Sequence, residues 1–282
     1  MELGICVRDL PAAEAARLGR FAEDHGYGHV YVPDVRGGST VTARDAFVAL
    51  GALFGATSTV RGGVGVAAVI FHEPTALARL AGTLTEQSGG RFVLGLGVSH
   101  PEAAAGSSAR YPRSPLGEMG RWVAEMRRAR DGGLPFGPGF EILVGALGPK
   151  MLALGAREAD GVVLNWLTPE HAGTTVAQVR QAAHPAGPAP TTVLYVRISP
   201  PQAARADAVA YDGLANYHHH FQAQGLDSPE AIVAGACLPA DDPAAARDRL
   251  AAYAEAGVEV VCLYPHGFDE ADRERVLATM AP

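Results

Sequence analysis

Asp34 directly follows a short apolar run. A carboxylate there could act as an acid, a base or a ligand anchor, or serve as a helix cap or loop ion pair. In Leu94-Gly95-Leu96-Gly97-Val98-Ser99-His100 two glycines remove side chains where a planar ligand could approach the backbone. A hydroxyl and an imidazole, the side chain whose proton moves near neutral pH, come next. A tight turn with an exposed imidazole fits the same spacing. Val144-Gly145-Ala146-Leu147-Gly148-Pro149-Lys150 is a glycine-containing loop that enters a helix. Free N–H groups and the positive end of the helix dipole make such a start a phosphate site. Lys150 is the one lysine among 23 basic residues and opposes that dipole unless an anion is near; pointing to solvent is the alternative. In Asn165-Trp166-Leu167-Thr168, Asn and Thr can donate to a phosphate or sugar and Trp can stack, although Thr168 also suits the cap of a helix beginning at Pro169. Tyr264-Pro265-His266 is further candidate pocket lining. His218-His219-His220 is not read as a metal site, because consecutive helical side chains diverge by about 100° and a pair on one ion prefers i and i+4.

These stretches fall at the ends of apolar, β-branched runs that alternate with helical patterns along the whole chain, the mark of parallel βα units. The expected strands are Glu2–Val7, His29–Val32, Gly63–Val69, Arg91–Leu96, Glu141–Val144, Val162–Asn165, Thr191–Ile198 and Val258–Tyr264. Expected helices include Pro11–His25, Ala43–Ala56, one from Pro74 to the Ser88-Gly89-Gly90 stop, Pro115–Arg130, Pro169–Ala183, Ala203–Gln222, Pro229–Gly235, Pro243–Ala256 and Asp269–Met280. Eight such units favour a (β/α)8 TIM barrel, with the site at the C-terminal ends of its strands. An open doubly wound sheet would carry a glycine-rich turn after its first strand, where this chain has Cys6-Val7-Arg8-Asp9. With no break in composition, residues 1–282 read as one domain.

The 282 residues suit such a barrel, which runs to roughly 250 residues or more. At 48% hydrophobic and 19% charged, the chain can bury a full core. A net charge of −7 argues against general nucleic-acid binding. No apolar run reaches the ~18 residues of a membrane span, and no signal peptide is visible, so a cytoplasmic protein is expected. Cys6, Cys237 and Cys262 lack metal-ligand spacing and read as buried thiols in a reducing compartment. The segment Ala46–Ala56 is apolar on every side, which on the outside of a barrel suggests a homodimer interface.

The stretch Pro74–His100, PTALARLAGTLTEQSGGRFVLGLGVSH, resembles the luciferase-like monooxygenase family, above all in Gly90-Arg91-Phe92 followed by Gly95 and Gly97. A second block, Ile142–Trp166, ILVGALGPKMLALGAREADGVVLNW, is similar to the same family. The GLGVSH segment looks most like actinobacterial oxidoreductases that use the deazaflavin coenzyme F420. Gly26-Tyr27-Gly28, Asn216-Tyr217 and Ala256–Cys262 are weaker echoes. The resemblance implies a luciferase-like TIM barrel and a strand-three bulge, often with a non-proline cis peptide, beneath the flavin ring near Gly65-Val66-Ala67. It implies phosphate binding at Ala146, Leu147 and Gly148, beside Gly145 and with help from Asn165. It further implies approach of Gly97 and Val98 to the ring with Ser99 and His100 beside it, and an acidic position at Asp34. Trp166 joins the expected cofactor-binding set. The chain departs from many relatives in having His72-Glu73 where they carry an Arg before the helix-three proline. Val35 follows the strand-two acid where some have His, and a long insertion is reduced.

The expected activity is hydride transfer between F420 and a small organic substrate, with His100 or Asp34 handling the accompanying proton. The alternatives are an FMN-dependent monooxygenase supplied by a partner reductase and a degenerate flavin-binding protein without turnover. A Schiff-base lyase is disfavoured, since Lys150 lies at a helix start and not in a strand.

Overall fold

A computed structural model describes residues 1–34, 44–105, 107–133 and 139–282. Val35 and the expected helix start at Ala43 lie outside the described residues. The strands are β1 (Glu2–Cys6), β2 (His29–Val32), β3 (Arg61–Ala68), β4 (Phe92–Gly97), β5 (Glu141–Gly145), β6 (Gly161–Asn165), β7 (Thr191–Ser199), β8 (Cys237–Pro239) and β9 (Val260–Tyr264). Each of β1 to β6 pairs in parallel with the next, β6 pairs β7, β7 pairs β9 and β9 returns to β1. The ring is therefore a closed eight-stranded parallel barrel, and the expected (β/α)8 architecture holds.

Three elements differ from the sequence expectation. The short β8 pairs with Arg197, Ile198 and Ser199 at the far end of β7, where Arg197 already faces Tyr264 on its other side. It thus extends the barrel wall on the side that β6 occupies lower down. Three residues are too few for a hydrophobic period to register. The expected helix Ala203–Gln222 is two helices, α8 (Pro201–Asp212) and α9 (Ala215–Ala223), broken where Leu214 is extended. A short helix α4 (Pro101–Ala105) lies in the loop after β4.

The remaining helices are α1 (Ala12–Asp24), α2 (Ala46–Phe54), α3 (Pro74–Ser88), α5 (Pro115–Asp131), α6 (Pro149–Glu158), α7 (Pro169–Ala182), α10 (Pro229–Ala236), α11 (Pro243–Glu255) and α12 (Glu270–Met280). Side chains cap many of them: Asp45, Glu73, Ser114, Thr168, Ser228, Asp242 and Asp269 accept from first-turn N–H groups. Gly89 closes α3 in the left-handed conformation, as expected from Ser88-Gly89-Gly90. The barrel interior is filled by Cys6, Tyr31, Val93, Leu143, Val163 and Val193, with Tyr195, Val260, Cys262 and Tyr264. A larger apolar layer separates the strands from the helices, which is why β4 is buried along its whole length.

The approach to β3 is held by one carboxylate. Glu23 accepts from the backbone N–H groups of Ser58, Thr59 and Val60 and from the Thr59 hydroxyl. These hydrogen bonds hold its carboxyl down at about 2, against the opposing effect of burial. Glu23→Ala leaves three N–H groups to find new partners. We expect a loss of about 1–3 kcal/mol in urea unfolding, with the secondary structure retained; an unchanged midpoint would contradict this role.

Candidate active site

The C-terminal ends of the strands open into a cavity of about 960 Å³. Its floor is Val66. A register shift between Val64 and Ala67 bulges β3, and the Gly65–Val66 peptide is cis, where the family resemblance implied a bulge. Val66 fits because its neighbours lack side chains: a Cβ on Gly97 would collide with its Cγ2, and one on Gly145 would lie 3.2 Å from its Cγ1. A Cβ on Gly65 would collide with the Tyr195 hydroxyl, which crosses the barrel from β7.

Of the residues proposed from sequence, Asp34, Gly65, Val66, Gly97, Val98, Ser99 and His100 line this cavity. So do Gly145, Ala146, Leu147, Gly148 and Asn165. Ala67 and Trp166 do not. Beyond the bulge Ala67 packs into the strand–helix layer. Trp166 has a left-handed backbone (φ 55°) that turns its indole away from the mouth, into a cluster with Ala208, Phe221 and Ile232.

Two further non-glycine residues at strand ends share that unusual conformation, Asp9 after β1 (φ 53°) and Ser99 after β4 (φ 72°). Such residues are uncommon, cost of order 1–3 kcal/mol each, and cluster at functional sites. At Ser99 the turn directs His100 back over the cavity.

At one end of the cavity lies the start of α6. The Ala146 N–H is already donated to the Val163 carbonyl (3.0 Å). The N–H groups of Leu147, Gly148 and Lys150 have no acceptor among the described residues, and a Cβ on Gly148 would meet nothing within 4 Å. The result is an open, dipole-favoured cradle for an anion. The Lys150 side chain is exposed.

On the opposite wall Asp34 accepts from His72 Nε2 at 2.7 Å, both side chains being largely buried. His72 is thus the partner of the strand-two acid. His100 has an unpartnered buried Nδ1, and its ring lies 5.7 Å from that of Tyr217. Burial holds its pKa below the usual imidazole value, opposed by Glu102 and Asn216.

The residue that sequence reasoning missed is Arg197. It is 1% exposed and lines the cavity. Its Nε donates to Asp207 (3.0 Å) and its Nη1 to Asn165 Oδ1, while Asn165 Nδ2 donates to the Tyr217 hydroxyl (2.9 Å). Its guanidinium lies 3.8 Å from the Trp166 ring centroid. Asn165, assigned to a phosphate from sequence, is therefore already engaged with Arg197 and Tyr217. The available signal was a lone arginine in the strand run Thr191–Ile198, in step with the inward-facing Val193 and Tyr195. His220, from the histidine run, donates its Nε2 hydrogen to the carbonyls of Asn165 (3.1 Å) and Trp166 (3.0 Å).

This arrangement, a closed parallel barrel with a cavity at its C-terminal mouth, defines a barrel of the enzyme-bearing (β/α)8 class. The chain belongs to the luciferase-like monooxygenase family, whose sequence profile matches residues 7–260. It is 29% identical over 198 residues to the 5,10-methylenetetrahydromethanopterin reductase of Methanolobus tindarius, covering 65% of this chain and 59% of that protein. It is 31% identical over 194 residues to a Mycobacterium tuberculosis protein provisionally named a coenzyme F420-dependent oxidoreductase, covering 58% and 54%. The chain thus matches little more than half the length of these curated relatives. Its fold is similar to that of an F420-dependent secondary alcohol dehydrogenase in complex with an F420–acetone adduct (TM-score 0.80, 15% identity, 99% of this chain and 97% of that one).

Burial also holds His220 and His266 below the usual imidazole value. With His100 they make the native state bind fewer protons than the unfolded chain once the pH falls below about 6.5. Their contribution to stability is full above that pH and shrinks below it. Thermal unfolding midpoints should be flat from about pH 8 to 7 and fall on further acidification, less so in His220→Gln. A midpoint that rises on acidification would refute this.

Proposed function

We propose that this protein is an F420-dependent oxidoreductase that transfers a hydride between the deazaflavin and a small organic substrate. The observation that supports it best is the pairing of two features in one cavity: the glycine-flanked Val66 floor and the free N–H groups that open α6. The first suits the face of a planar ring, and the second suits its phosphate. The relatives' names point to the same coenzyme.

When bound, the deazaflavin supplies the two-electron hydride chemistry. The chain's own residues do the rest. Leu147, Gly148 and Lys150 present backbone donors to the phosphate. Val66, Gly97 and Val98 seat the ring. His100 and Asp34 handle the proton. His100, kept neutral by burial, accepts the proton that leaves a hydroxyl as hydride leaves its carbon. Asp34, held by His72, sits at the same mouth as the alternative base, and whichever of the two takes the proton returns it in the reverse direction. The same seat accepts FMN, and in that second reading the protein is a monooxygenase fed by a partner reductase.

We also assign the chain to a single domain of cytoplasmic location that works as a homodimer. Among the described residues no helix is long and apolar enough to cross a membrane. Val48 on α2 is 65% exposed and Leu80 on the neighbouring α3 36%, an apolar surface that a second copy would cover. Light scattering should give twice the 29.2 kDa chain mass, and a monomer at micromolar concentration would contradict the dimer.

Titration with F420 and with FMN, followed by fluorescence, tests the main reading. F420 should bind the more tightly, with no oxygen uptake on reduction. Gly148→Asp, which sets a carboxylate against the phosphate, should weaken binding at least about tenfold. Unchanged affinity in that variant would overturn the phosphate assignment, and tight FMN binding with oxygen uptake would favour the monooxygenase.

A further inference from the structure

The cavity wall built by β1, β7 and β9 carries more positive charge than the protein itself balances. Arg8, at the end of β1, lines the cavity and lies 3.2–3.3 Å from the ring nitrogens of His266, with no acidic partner among the described residues. Arg197 shares the wall. Asp207 and Asn165 occupy two of its nitrogens, and the third, Nη2, is buried without a partner. Among the described residues Asp207 is the single carboxylate on this wall, against two guanidinium groups, and it acts together with both arginines on His266. His266 is kept neutral by its burial, so it does not change the balance of charge.

The two arginines are built differently. Arg197 is fixed: its plane lies against Trp166 at 3.8 Å, with Tyr264 and Tyr211 at 4.8 and 5.0 Å. Its free edge is therefore held in one place before any ligand arrives. Arg8 is half-buried and meets only a neutral ring. A buried donor without an acceptor is destabilising, and a charged one more so, so the wall is most stable with an acceptor in front of it. A planar carboxylate matches guanidinium donors in both geometry and charge. The proposed phosphate cradle at α6 uses different residues, and so does not compete for this wall.

We infer that Arg8 and Arg197 form the recognition subsite for the carboxylate of the substrate, so that the protein acts on a small organic acid. This deepens the oxidoreductase reading and rests on it for the identity of the cavity as a reaction site. The remaining lining near the wall, Tyr195, Tyr211 and Tyr264, would enclose the acid's carbon skeleton.

The test is calorimetric binding of benzoate, cinnamate and hexanoate, each beside its own amide, to the purified protein with and without F420. The acids should bind at least about tenfold more tightly than their amides, and added salt should narrow the gap. Arg8→Met should remove most of the preference. That variant breaks only a contact with His266, so folding is expected to be retained. Arg197→Lys keeps the charge beside Asp207 but loses the fixed fork, and should weaken the acids while leaving the amides unchanged. Equal affinity for acids and amides, or an undiminished preference in Arg8→Met, would overturn the subsite. The F420 arm separates the two claims. Acid preference without any F420 binding would leave the subsite standing and defeat the coenzyme reading. F420 binding without acid preference would defeat the subsite alone.

Discussion

Val66 projects into the mouth of the barrel, and it can do so only because the strands on its flank carry hydrogen in place of side chains. Gly97 and Gly145 would each press a Cβ on the valine, and a Cβ on Gly95 would lie 2.5 Å from the Val64 carbonyl. The bulge in β3 sends Val66 inward, and the glycines of β4 and β5 make the room. An apolar floor results at Val66, with the Tyr195 hydroxyl beside it and the other polar groups around it. Every other assignment in the cavity depends on that floor, because it decides where a ring can rest and hence which side chains can meet it.

Around the floor the polar groups divide by source. Backbone N–H groups at the start of α6 form one end. Side chains form the rest: the Asp34–His72 pair near β2 and β3, His100 after β4, and the chain Asp207–Arg197–Asn165–Tyr217 across β6 to α9. The last chain ties four elements together: α8, β7, β6 and α9. The break at Leu214 contributes to it, since it lets α9 turn Tyr217 and His220 toward the end of β6. The histidine run therefore serves as a strand-end brace in which only His220 is engaged, while His218 pairs with Asp212 at the surface.

Much of this was legible in the residues. Local signals with a fixed physical cause were the most reliable: Pro at helix starts, Gly89 at a helix end, Thr168 as a cap, and glycines where β4 and β5 pass beside Val66 in the cavity. The residues that misled were those whose direction depends on distant contacts. Trp166 stands at a strand end but its left-handed backbone swings it into the helical layer. Asn165 has the right chemistry for a phosphate, yet Arg197 and Tyr217 occupy it. Arg197 stands out in sequence as a lone arginine in an apolar strand, but nothing in that strand tells that its position opens onto a cavity. The pairing of His72 with Asp34 likewise joins residues 38 positions apart, which no spacing rule reaches.

The most direct measurement is a crystal structure of the protein soaked with oxidised F420. The ring should lie on Val66, with a phosphate oxygen within about 3 Å of the Leu147 and Gly148 nitrogens. A ring seated elsewhere, or a phosphate held by other residues while the start of α6 faces solvent, would contradict it.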